Sequence, residues 1–183
     1  MNKTKYMLVT SLFVIVPIFA QTSDVTNEPG YFDMGDLSSL ESSTGVTEII
    51  MEEDLLSVLA TMSNEKDPNI MAILEGLKLV KANIYKVNDR NLDELKERVN
   101  EIDSRILNGD WKRIVRTRSL EEIANVYIKL NNDKKIVGLV VTSVEQDGDA
   151  AFVNIVGNID LATIGKLGNR FHIPSLDSVH GKN

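Results

Sequence analysis

The side chains that most often act as catalytic bases or metal ligands are scarce in this 183-residue chain. Its two histidines, His172 and His180, both stand close to the C-terminus. A catalytic imidazole needs a fixed partner within hydrogen-bonding reach, and chain ends are the parts of a domain that are least often ordered. The sequence therefore predicts no catalytic site that depends on histidine.

Other residue sets with recognised chemistry are also missing from the sequence. There is no Cys, which excludes disulfides, thiol catalysis and Cys-ligated zinc. Neither an HExxH motif nor a His pair at helical spacing occurs. Asp147-Gly148-Asp149 lacks the acids that follow in a calcium loop, and Gly157, Gly165 and Gly168 are too widely spaced for a phosphate loop. We therefore expect no catalytic residue, no metal and no cofactor.

Two aromatic residues near the N-terminus are the first candidates for binding. Tyr31 and Phe32 stand among Gly, Pro and Asp residues in the segment EPGYFDMGDLSSL, residues 28–40. They either face a ligand or a partner, or they dock on the core of their own domain, and we favour docking.

A second candidate is the one cluster of positive charge, in the segment 111–118. A spacing of two residues predicts that Lys112, Arg116 and Arg118 flank Ile114 on one face of a strand. This face would bind an acidic ligand or a phospholipid head group, or it would be a solvated face paired with the many acids of the chain.

The third candidate is Asn154, which stands between Val153 and Ile155 in an apolar segment. A buried amide needs hydrogen-bonding partners. Asn154 is therefore either a site residue or the donor and acceptor of structural hydrogen bonds.

The elements that must position these residues follow from the spacing of apolar side chains. The strongest signal is the stretch 136–168, in which two runs rich in Val and Ile flank an Asp147-Gly148 turn. Both faces of the first run are apolar, which places it inside a sheet. Asp160 should then cap a short helix, with Ile159 and Ile164 as a hydrophobic staple. The other predicted strands are 46–51, 77–87, 111–118 and 123–130, and the other predicted helices are 55–74, interrupted at 64–68, and 92–107.

This order of elements predicts an α+β fold. We expect a single domain with a mostly antiparallel sheet of about six strands and with helices packed on one face. The expected organisation is a signal peptide (1–20), a flexible N-terminal arm (21–44), the α+β domain (45–174) and a disordered tail (175–183).

The N-terminal sequence predicts export. Lys3 and Lys5 precede a mostly apolar run, and Ala20 offers a small residue for cleavage before Gln21. The run has about 14 residues, short of the roughly 20 that a membrane-spanning helix needs. We expect cleavage, no transmembrane span afterwards, and a periplasmic or secreted protein. The alternative is a retained membrane anchor.

Charge and the missing Cys narrow the possible partners. The net charge of −7 gives no electrostatic help in binding nucleic acid or an anionic membrane. The absence of Cys excludes a lipoprotein anchor. We expect no nucleic-acid partner and consider a protein partner in the cell envelope.

Three segments together resemble a known family: EPGYFDMGDL, DWKRIVR and FVNIVGNIDLATIGKLG. They are similar to exported bacterial proteins described as domain of unknown function 4252, over about Glu28 to Pro174. The resemblance implies a cell-envelope protein, often a lipoprotein in Bacteroidetes-type bacteria, and brings no catalytic residues. The lack of Cys sets this chain apart from the lipoprotein members.

The expected function is that of a non-catalytic exported envelope protein that binds a protein or a ligand, in envelope signalling or a stress response. One alternative is a hydrolase or lyase whose Asp or Glu residues converge from separate segments. Another is the binding of an anionic lipid or ligand through Lys112, Arg116 and Arg118.

Overall fold

The computed structural model describes residues 24–40, 45–63 and 68–159. The expected signal peptide, both histidines, the helix that Asp160 would cap and the C-terminal tail lie outside these ranges.

The described chain contains six strands and three longer helices, preceded by a short 3-10 turn at Val25–Asn27. Apolar residues at three- and four-residue steps bury one side of the third helix, whereas alternation by two marks the strands. The elements in chain order are β1 (Val46–Glu52), α1 (Glu53–Ser63), α2 (Pro68–Glu75), β2 (Leu77–Lys86), α3 (Leu92–Leu107), β3 (Trp111–Arg118), β4 (Glu122–Leu130), β5 (Ile136–Glu145) and β6 (Asp149–Ile159).

The strands form one antiparallel sheet in the order β1-β2-β6-β5-β4-β3. This confirms the predicted α+β class with a six-stranded sheet. The β5–β6 hairpin, which gives the strongest signal in the sequence, occupies the centre, because both of its faces are apolar and need cover. β1 and β3 are the two edges.

The helices cover both faces of this sheet, which differs from the expected placement on one face. Leu56 of α1 and Leu74 of α2 pack with Val153 of β6 on what we call the α1 face. Val99 of α3 packs with Phe152 of β6 on the opposite face, the α3 face. Successive residues of β6 point to opposite faces, and both sets are apolar, so one layer of helices would leave half of them in water. No helix within the described ranges is long and apolar enough to cross a membrane.

A bulge in β3 corrects the predicted basic face. The pairing of β3 with β4 shifts by one residue between Arg113 and Val115. An extra residue reverses the alternation of the side chains that follow it. Lys112 therefore lies on the α1 face, whereas Arg116 and Arg118 lie on the α3 face. The three cations do not share a surface.

A partly buried polar cluster fastens α3 to the sheet. Asp103 of α3 accepts a hydrogen bond from Arg113 of β3 at 2.6 Å and another from the hydroxyl of Tyr127 of β4. The Tyr127 side chain is fully buried. Burial, together with the hydrogen bond and charge of Asp103, raises the pKa of Tyr127, and Arg113 only partly offsets this.

The raised pKa of Tyr127 should make stability fall in alkaline solution. Unfolded Tyr127 loses its proton near pH 10, whereas folded Tyr127 still holds it, so the unfolded state binds fewer protons and rising pH favours unfolding. One such group contributes a slope of up to about 1.4 kcal/mol per pH unit. Urea unfolding between pH 9 and 11 should show a steeper loss for wild type than for Tyr127→Phe. Parallel slopes would contradict this assignment, since the other titrating groups are common to both proteins.

Candidate functional site

Residues 24–40 are the described part of the predicted N-terminal arm, and we call them the arm from here on. The arm lies on the α3 face of the sheet, and Asn154 holds it there. The Phe32 N–H donates to Oδ1 of Asn154 at 2.9 Å. Nδ2 of Asn154 donates to the carbonyl oxygens of Gly30 and Leu139, both at 3.1 Å. Asn154 is 1% exposed, so its amide is used for structural hydrogen bonds between the arm and the centre of the sheet.

Two glycines allow the arm to approach so closely. A Cβ on Gly30 would overlap the carbonyl oxygen of Val137. A Cβ on Gly138 would stand 2.6 Å from Cα of Gly30 and 2.7 Å from the ring of Trp111. The backbone of the arm therefore rests directly on the backbone of β5, at a distance that only glycine permits.

The Phe32 ring anchors the arm in the core. It meets Trp111 edge to face, with ring centroids 6.0 Å apart, and the Arg105 guanidinium lies 5.4 Å from its centroid. Arg105 also donates to the carbonyl oxygen of Asp33 at 2.6 Å. Further along the arm three apolar side chains are buried on the same face: Met34, Leu37 and Leu40. Of the two arrangements considered for the arm, docking on the core of its own domain is the one in the structure.

The docked arm and the edge of the sheet enclose a pocket of about 220 Å³, which we call the arm pocket. Residues 31–38 form one wall. The other wall consists of Glu48 from β1 together with Lys81 and Asn83 from β2. These three polar residues share the α3 face, because Asn83 stands opposite Glu48 and Lys81 stands opposite Asn154 in the register.

The acids of the arm are used to shape its backbone. Oδ1 of Asp33 accepts from the Gly35 N–H at 2.8 Å, and Oδ1 of Asp36 accepts from the Ser38 N–H at 2.9 Å. The hydrogen bonds from Ser38 lower the pKa of Asp36 and keep it charged. The carboxylates therefore act first as turn formers.

The groups of the pocket that remain available come from Tyr31 and the sheet. Burial, followed by the charges of Asp33 and Asp24, raises the pKa of Tyr31, so its phenol stays protonated. From the described residues Glu48 accepts one long hydrogen bond, from Nδ2 of Asn83 at 3.4 Å. Within the described ranges no ion pair involves Lys81.

The structure thus brings together some of the residues singled out from the sequence and separates others. Tyr31 and Phe32 border the arm pocket, and Asn154 holds the arm beside it. The cations of β3 lie at the opposite edge of the sheet from β1.

Sequence reasoning missed the sheet wall of the pocket. Lys81 and Asn83 are polar residues two apart in the middle of β2, and the residues around them from Leu79 to Tyr85 are apolar. That pattern indicates a polar patch on one face of a buried strand, and it is the signal that could have found them.

Comparison with known proteins identifies the family to which the chain belongs. The model of the family described as "Domain of unknown function (DUF4252)" matches residues 40–167. The chain belongs to this family. The predicted resemblance is confirmed over a shorter span than expected. No curated protein and no solved structure matches the chain.

The DUF4252 region contains all six strands and the helices α1 to α3. The arm before Leu40 lies outside the match. The sheet wall of the arm pocket therefore belongs to the DUF4252 region, while the wall formed by residues 31–38 precedes it.

Proposed function

We propose that this DUF4252 protein is an exported, non-catalytic binding module of the cell envelope, and that the arm pocket receives a basic side chain of a protein partner. The observation that carries the proposal is the lining of the pocket. Its lining includes three acidic residues, Asp33, Asp36 and Glu48, and one basic residue, Lys81. Such an excess of negative charge attracts a cation.

The size of the pocket supports a side chain as its occupant. Pockets for drug-sized molecules have volumes of roughly 300–1,000 Å³, and the arm pocket is smaller, at about 220 Å³. The Tyr31 ring at its rim can contact a guanidinium or ammonium group face on. The carboxylate of Glu48 can accept a charge-assisted hydrogen bond, which is about twice as strong as a neutral one.

The hydrogen bonds of two acidic residues in the arm favour a binding function over the hydrolase or lyase alternative. Asp33 and Asp36 are bonded to backbone N–H groups of the arm, and the pKa of Asp36 is lowered. A general acid needs a raised pKa, which is the opposite shift.

Export is supported by the sequence of residues 1–20, and an envelope location by the resemblance to exported proteins.

The proposal predicts that Nα-acetyl-arginine amide and Nα-acetyl-lysine amide bind in the arm pocket. In NMR titrations they should shift the amide signals of residues 31–38, and Nα-acetyl-glutamate amide should not. Glu48→Gln should weaken binding roughly tenfold, because it removes a charged hydrogen-bond acceptor.

Glu52→Gln is the matched control, since Glu52 lies on the same strand and the same face but does not line the pocket. Tyr31→Ala should weaken binding and leave the free energy of unfolding nearly unchanged, whereas Phe32→Ala should destabilise the fold. Equal affinity for the acidic probe, or equal loss in the two Glu variants, would refute the proposal.

A further inference from the structure

The two edge strands carry opposite charges. β1 presents Glu48 and Glu52 on the α3 face, with Ile50 between them 49% exposed. β3 presents Arg116 and Arg118 on the same face, and the adjacent Ile114 is 42% exposed. Each edge thus combines charge of one sign with an exposed isoleucine.

Two of these four charged side chains have no partner within the described part of the chain. Neither Glu52 nor Arg116 forms a hydrogen bond or ion pair with another described residue. Among the described residues, Arg118 donates a hydrogen bond to Oδ1 of Asn100, at 3.2 Å, and Glu48 accepts the long one from Asn83. Charge at an edge strand commonly prevents pairing with other strands, but edges of opposite sign attract each other.

Strand direction allows the two edges to meet. Neighbouring strands are antiparallel throughout the six-stranded order, so β1 and β3 run in opposite directions. When two copies lie side by side in the same orientation, β1 of one and β3 of the next form an antiparallel pair. The register that sets Ile50 opposite Ile114 also sets Glu48 opposite Arg116, and both charges lie on the α3 face.

We propose that copies of this chain associate head to tail, with β1 of one copy pairing with β3 of the next to form a continuous antiparallel sheet. The inference rests on the two sheet edges. Glu48 also lines the arm pocket, but Arg116 and Arg118 do not, so the β3 variant described below tests the inference without changing the pocket. The backbone N–H and C=O groups of both edges would supply the hydrogen bonds of the new strand pair.

The opposite face of the sheet supplies an apolar contact for the same arrangement. α1 packs on β1 and β2 and exposes Leu55, Val58 and Met62 at helical spacing. Val115 and Ile128, on β3 and β4, are only partly buried on the α1 face. In the head-to-tail arrangement the exposed stripe of α1 comes beside these two side chains of the next copy.

The contact joins two different surfaces and is therefore heterologous. Such contacts form rings when the rotation between copies closes and open chains when it does not. The average mass of the wild-type protein in solution should therefore rise with concentration, without the limit of a dimer, and it should fall with added salt.

Charge reversal tests the inference by sedimentation velocity on the full mature chain. Glu48→Lys with Glu52→Lys makes both edges basic, and Arg116→Glu with Arg118→Glu makes both edges acidic. Each double variant should associate at least about tenfold more weakly than wild type, because like charges then face each other. An equimolar mixture of the two double variants should associate again, and so should the quadruple variant.

The matched control for the β1 variant is Glu94→Lys with Glu97→Lys, which makes the same change in net charge on the exposed side of α3 and should leave association unchanged. A wild-type protein that stays monomeric up to its solubility limit would overturn the inference. Association that is lost in both double variants and not restored by mixing would overturn it as well.

Discussion

Replacing Gly30 with alanine should lower the free energy of unfolding by about 3 kcal/mol, at the upper end of the cost of overpacking a core. The added Cβ has no space, because it would overlap the carbonyl oxygen of Val137. The arm would have to lift from β5, and the Phe32 N–H would then move away from Asn154.

Urea unfolding measures the stability loss in Gly30→Ala, and hydrogen exchange at the Phe32 amide reports whether the arm is displaced. Gly109→Ala is the control, since a Cβ there has its nearest atoms at 3.5 Å, an ordinary van der Waals contact. If the two variants unfolded at the same urea concentration, the close contact between the arm and β5 would not be important for stability.

The second large effect is expected for Asn154→Ala, which should also cost about 3 kcal/mol. The substitution leaves the Phe32 N–H and the carbonyl oxygens of Gly30 and Leu139 without their partner, and each unsatisfied buried group costs about 1–3 kcal/mol. Asn158→Ala is the control, because Asn158 lies on the same strand and is exposed.

Both substitutions disturb the docking of the arm. The losses in free energy of unfolding that they cause should therefore not be additive. Once Gly30→Ala has lifted the arm, Asn154→Ala has fewer partners left to lose. The double variant should lose less stability than the sum of the single losses, as neighbouring substitutions commonly do. Full additivity would mean that Asn154 stabilises the sheet and not the arm.

The positions of the strands and of α3 could be predicted from the sequence because they depend on local periodicity. The expected strands 46–51 and 123–130 correspond to Val46–Glu52 and Glu122–Leu130, and the expected helix 92–107 has the observed bounds. Each pattern is read over a few residues, and the side chains that cause it are neighbours along the chain.

The face of the sheet on which a side chain lies could be predicted only as far as the first irregularity in the pairing of its strand. In β3 a single extra residue at Ile114 separates Lys112 from Arg116 and Arg118. The sequence of β3 alone contains no signal for this bulge, because it depends on the pairing with β4. The division of the helices between two faces likewise depends on how β6 inserts between β2 and β5.

For the candidate site, the sequence by itself was enough to single out Tyr31 and Asn154, because the patterns of strands and helices do not account for these two residues. Tertiary structure decided that Asn154 binds the arm across more than 120 positions of the chain. It also placed Glu48 and Lys81 beside Tyr31 in one pocket. The physical reason is that hydrogen bonding and backbone packing between the arm, β1, β2 and β6 depend on strand order and register, which local periodicity does not specify.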